Sequence, residues 1–276
     1  MSHFTVGVII TKEDIKRNKI ILEEANYDNL QDEESLNKAA IMEAVEEALN
    51  PFNENLEVEP HRVLDLHELQ DKLDEIVNYE GEDEFSLKLK EKYKDKSLEF
   101  LCENYFGYMF REDGAYSTYN QQSKWDWYVV GGRWDNTLPI KNNKTIEDDD
   151  YSGYDNKIEG NMCQIKDLEL YKKLSKKEIK EHTKEYEDMV NGKTYYKPEY
   201  ILRKYPTLDV YLDKQCRYST YALLNSKGQW IEPGQMGWFG CSSATPEEEA
   251  NFTDVFAEHL KKENPEHYFV LVDCHV

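Results

Sequence analysis

HYFVLVDCHV, residues 267–276, closes the chain, and its reading decides the fold. Its centre is an unbroken run of aromatic and β-branched residues, too short for a helix, so it reads as a buried strand. HFTVGVIIT, residues 3–11, has the same character at the other end. A chain that opens and closes on buried strands, with helices between them, places both termini in one sheet. The expected fold is α+β: a central mixed β-sheet containing both terminal strands, helices packed on it, and a single domain over residues 1–276.

The intervening sequence supplies the helices. SLNKAAIMEAVEEALNPF, residues 35–52, sets Leu36, Ala40, Ile41, Ala44, Val45, Ala48 and Leu49 at helical spacing, with Pro51 just past the end. Residues 64–77 and 84–104 carry two more amphipathic patterns. Ser175 with Glu178 forms a capping box ahead of KKEIKEHTKEYEDMV. Thr245, Pro246 and Glu248 open a last helix that runs to about Lys262. STYALLNSKGQWIEPG, residues 219–234, reads as two strands about a turn at Asn225–Gly228. Residues 12–34 read as a connection of weak helical character. The polar, turn-rich residues 141–160 read as a mobile loop. The tyrosine-rich residues 191–215 yield no assignment.

Composition narrows the function. The 276 residues carry a net charge of −22, yet 13% are aromatic and 20 are tyrosines. Disordered chains lack aromatics, so this one folds and wears its acidity on the surface. Such charge argues against direct nucleic-acid binding. It suits a partner with a basic face or, alternatively, mimicry of nucleic acid. The five cysteines, Cys102, Cys163, Cys216, Cys241 and Cys274, are widely spaced without a C-x-x-C pair. They read as reduced thiols of a cytoplasmic protein. The opening strand lacks the basic and cleavage regions of a signal peptide. Nothing approaches the run of about 18 apolar residues that a membrane helix needs.

SKWDWYVVGGRW, residues 123–134, holds three of the five tryptophans. Read as a strand and turn, it puts Trp125, Trp127 and Val129 on one face and Asp126, Tyr128 and Val130 on the other. One reading is a core hairpin, with Arg133 paired to Asp126 or Asp135 at its rim. The other is a ligand pocket. There Gly131 and Gly132 admit a phosphate to the backbone, the tryptophans stack a base, and Arg133 clamps the anion. Lys124, Tyr128 and Trp134 complete that candidate set. MGWFGC, residues 236–241, is a glycine-bracketed turn that would bring Trp238 to the same pocket.

DCHV, residues 273–276, gathers an acid, a thiol and an imidazole. Alternation along a strand lets Asp273 and His275 share a face and sends Cys274 to the other. A cysteine–histidine nucleophile would therefore need a second histidine, such as His3. None of the seven histidines falls in a metal motif. His61 and His67, beside Asp65 and Glu68, read as solvated. His3, Asp273 and His275 would form a metal site only if the terminal strands are neighbours. The expectation is no metal and no cofactor.

Five pieces together resemble a family of bacteriophage and prophage-borne proteins. They are the strand Ser2–Val6, the element Pro51, Phe52 and Glu54, the block Lys124–Trp134, the turn Gly234–Trp238 and the closing Val272–His275. The resemblance spans the chain except for residues 141–215, and its Trp-Asp-Trp-Tyr block is the most specific part. It implies a phage accessory protein in the host cytoplasm and transfers no activity. Two functions follow as expectations. One is a binding protein that counteracts host antiviral defence by occluding a defence protein or sequestering a nucleotide signal. The other is a small enzyme acting on a nucleotide or related substrate, with Asp273 or His275 as acid or base and Cys274 as nucleophile. An acidic DNA mimic ranks behind both.

Overall fold

A computed structural model of the chain describes residues 2–25, 32–141, 155–237 and 240–276. Its strands are β1 (His3–Ile10), β2 (His61–Asp65), β3 (Met109–Arg111), β4 (Gly114–Ser117), β5 (Trp127–Val130), β6 (Met162–Gln164), β7 (Ala222–Leu224), β8 (Trp230–Ile231) and β9 (Tyr268–His275). The α-helices are α1 (Lys12–Ala25), α2 (Glu33–Leu49), α3 (Leu66–Val77), α4 (Glu84–Tyr93), α5 (Leu98–Leu101), α6 (Lys176–Val190), α7 (Pro198–Lys204), α8 (Leu208–Gln215) and α9 (Pro246–Lys261). Where the sequence suggests one domain, the chain divides into two compact units. One comprises Met1–Asn53 and Gln122–Val276; the other is Glu54–Gln121.

The larger unit is built on a six-stranded mixed sheet in the order β5-β9-β1-β7-β8, with β6 also paired to β9. The terminal strands β1 and β9 are antiparallel neighbours over their whole length, from His3 opposite His275 to Ile10 opposite Tyr268. β7 runs parallel to β1, and β5 runs antiparallel to β9 with Trp127 opposite His275. Helices cover both faces, which is why these strands read as continuous apolar runs. Phe4, Val6, Val8 and Ile10 share a face with Val270, Val272 and Cys274 and pack with Ala44, Val45 and Leu49 of α2. Ile9, Leu223, Phe269 and Leu271 on the other face pack with Phe252, Phe256 and Leu260 of α9. Each such side chain stabilises the fold by roughly 1.5–3 kcal/mol when fully buried.

In this unit two readings change. Residues 12–25 form a full helix whose Leu22 packs on Leu36 and Ala40 of α2, so tertiary packing supplies what its charged sequence does not advertise. The unassigned tyrosine-rich stretch folds as α7 and α8, which bury Ile201 and Tyr211 against Tyr186 of α6. Of the expected loop at 141–160, residues 142–154 lie outside the described residues. The part that follows is anchored: Lys157 N–H donates to the Val130 carbonyl at 3.1 Å, and Asn156 Oδ1 accepts the Val130 N–H at 2.8 Å.

In the smaller unit, β2, β4 and β3 form an antiparallel sheet. Asp65 and Glu68 close a capping box on α3, so neither acid is a free ligand beside His61 and His67. The single helix expected at 84–104 is interrupted after Tyr93. Ser97 starts a new helix by accepting the Phe100 N–H, and a π-turn follows over Cys102–Phe106.

Candidate functional site

The strand pairing brings the first and last candidate residues together. His3 and His275 are directly opposed across β1 and β9, and Trp127 opposes His275 from β5. His3 Nδ1 lies 2.8 Å from Asp273 Oδ1, and His275 Nδ1 lies 2.6 Å from Asp126 Oδ1. A carboxylate only accepts, so Nδ1 is the proton-bearing nitrogen in both pairs, which leaves Nε2 as the working nitrogen of each ring. The imidazole side chains are 8% and 5% exposed. Their ring centroids are 5.0 Å apart and nearly perpendicular. The Trp127 indole stacks on His275 at 5.0 Å and meets His3 edge-on at 5.1 Å.

Both carboxylates are held from behind. Asp273 is buried, and its Oδ2 accepts the Arg133 backbone N–H at 2.9 Å. Asp126 Oδ1 also accepts the Trp127 N–H at 2.8 Å. The chain bends at Asp126, and the alternation expected of a straight strand breaks there. Trp125 therefore does not share a face with Trp127. It is buried on the α2 side, donates its Nε1–H to the Leu49 carbonyl at 3.1 Å and meets Tyr128 edge-on. Asp126 is correspondingly turned to the histidine side, away from Tyr128 and Val130.

The remaining expectations sort by geometry. Tyr128 packs with the α2-side core, and burial pushes its hydroxyl pKa up, so it stays protonated. Lys124 is committed to Glu232 at 2.7 Å. Trp134 packs against the α9-side core. Gly131 and Gly132 both have positive φ, +79° and +54°. They serve close approach within the protein: a Cβ on Gly131 would overlap Asn161, and one on Gly132 would overlap Asp273. Arg133 does not close a rim ion pair with Asp126 or Asp135. Asp135 is taken by Lys157 at 3.0 Å, while the Arg133 side chain is exposed and has no ion pair among the described residues. Trp238 lies outside the described residues.

Cys274 faces the α2 core, fully buried. Desolvation, then the nearby Asp273 and Asp126 charges, pushes its thiol pKa well up. It is therefore no partner for His275 and no nucleophile at this site. His61 and His67 belong to the smaller unit. Among the described residues no group of three or more His, Cys, Asp or Glu side chains could hold a metal ion. What the site can do is move protons. A carboxylate at Nδ1 orients an imidazole and fixes its tautomer, which suits Nε2 to general acid–base work.

Comparison of the chain with protein-family models, with curated proteins and with solved structures finds no match. The functional reading therefore rests on this geometry.

Proposed function

We infer that the chain is a small acid–base enzyme acting on a phosphate ester of nucleotide type, with His3 and His275 as one catalytic pair. The observation that carries this reading is the pair itself: two imidazoles 5.0 Å apart, each with Nδ1 on its own carboxylate. In a hydrolysis, the neutral imidazole takes a proton from water as the water oxygen bonds to phosphorus. The protonated imidazole gives its proton to the leaving oxygen as the old P–O bond breaks. Proton exchange with solvent then resets both rings. Asp273 and Asp126 position them. Arg133, tethered beside Asp273 by its own backbone, supplies for the phosphate an exposed guanidinium that has no ion pair among the described residues. In the phage setting that the family resemblance implies, such chemistry would destroy a nucleotide signal of host defence.

A second reading keeps the ligand and drops the turnover. The stacked Trp127 and the shielded imidazoles favour it, since both suit a sequestering pocket. Phosphorus NMR of a mixture of linear and cyclic nucleotides separates the two. New resonances beyond one equivalent of protein, absent with His275→Ala, support the enzyme. An unaltered nucleotide that co-purifies and is released on denaturation supports sequestration. Neither outcome would leave the site without a nucleotide role; inert and unbound nucleotides would.

A further inference from the structure

A cavity of about 550 Å³ opens among α6, α7, α8, the start of α9 and the segment entering β7. It shares no residue with the histidine site. Its size falls within the roughly 300–1,000 Å³ typical of small-molecule sites. Five phenol rings line it: Tyr196, Tyr200, Tyr205, Tyr211 and Tyr221. Its charged lining is Glu185, Glu249 and Lys204.

The phenols and carboxylates are wired together. Tyr200 donates to Glu249 Oε2 and Tyr211 to Glu185 Oε2, both at 2.7 Å. Burial, and then those carboxylates, push both hydroxyl pKa values up, so the rings remain neutral donors. A phenol bonded to a carboxylate presents an electron-rich face, which attracts cations. The wall already holds one ammonium in this way. Lys204 pairs with Glu249, and its Nζ sits 5.5 Å from the centroid of Tyr205. Among the described residues Glu185 has no lysine or arginine partner; its half-exposed side chain pairs with His182 at 3.1 Å and accepts the Tyr211 hydroxyl. A phosphate entering here would face two carboxylates and one lysine already spoken for, which excludes nucleotides from this cavity.

We propose that the tyrosine cavity binds an organic cation, an alkylammonium or guanidinium group, held between Glu185 and the phenol faces. The same chemistry is carried by a free polyamine and by a lysine or arginine side chain of a partner with a basic face.

Calorimetric titration of the full chain at physiological salt tests this, with spermidine in one arm and a short capped Lys/Arg peptide in the other. One saturable site is expected in at least one arm. Spermidine alone identifies a free polyamine, and tighter binding of the peptide identifies a partner side chain. Glu185→Gln and Tyr196→Ala should each weaken binding about three- to thirtyfold. Tyr196 is 53% exposed, so its loss should leave the melting temperature unchanged. No saturable binding overturns the proposal. So does binding indifferent to both variants, which would be diffuse attraction to the acidic surface. Adenosine monophosphate displacing the cation would also overturn it.

Discussion

Asp273 receives the Nδ1–H of His3 at 2.8 Å across 270 residues of chain, so the first strand and the last complete each other's chemistry. An amide at 273 would offer its own N–H to that nitrogen and force the proton to Nε2, the wrong tautomer for a base. Asp273→Asn should therefore fold and lose activity by about 10⁴, the scale seen where a triad carboxylate is amidated. The check is kcat beside a circular dichroism melt. A folded variant with undiminished kcat would remove Asp273 from the mechanism.

Gly132→Ala should destabilise the protein by about 1–3 kcal/mol. Its φ of +54° is unfavourable for alanine, and the new Cβ would overlap Asp273. Chemical denaturation reads the loss as a lower midpoint. Activity should fall further than stability explains, because Asp273 must shift.

The thiols should react in an order set by burial. Cys241 is exposed and Cys216 half-buried, whereas Cys102, Cys163 and Cys274 are buried. Burial pushes the Cys163 thiol up to about 12 and raises Cys102 and Cys274 as well. Alkylation at mildly alkaline pH followed by mass mapping should therefore label Cys241 first and those three only on unfolding. Rapid labelling of Cys274 in the native protein would contradict its placement in the core.

Glu266 ties the entrance of β9 to two other elements. It pairs with Lys166 at 2.6 Å and with Lys12 at 3.1 Å, and these bonds hold its carboxyl at about 2. A carboxyl depressed in the folded state adds stability that is complete above its ordinary value. That contribution is lost as pH falls through the folded value. Glu266→Gln should thus melt earlier than the parent at neutral pH, and the two should converge as pH approaches about 2. Salt should narrow the gap, since the pair is exposed.

HYFVLVDCHV and HFTVGVIIT were legible because burial on two faces writes itself as an unbroken apolar run. The capping boxes at Ser175 and Thr245 were legible because they are local chemistry. Alternation along β9 also separated Cys274 from Asp273 and His275, and the neighbouring termini brought in His3. Asp126 was not legible as the second carboxylate. The backbone bends there, and a period-two pattern assumes there is no bend. Helix α1 hid behind its charges, since its apolar stripe is justified only by α2. The tyrosine cavity escaped because its short helices are stabilised by a satellite cluster rather than by strong periodicity.

The most direct test of the paired imidazoles is a mutant cycle on kcat/KM: wild type, His3→Ala, His275→Ala and the double variant, each on the nucleotide that the phosphorus NMR identifies. Two rings acting as one acid–base unit should each cost about 10²–10⁴ when removed, with the double variant little worse than the poorer single. Single variants that turn over at the wild-type rate, with the fold intact, would contradict the account.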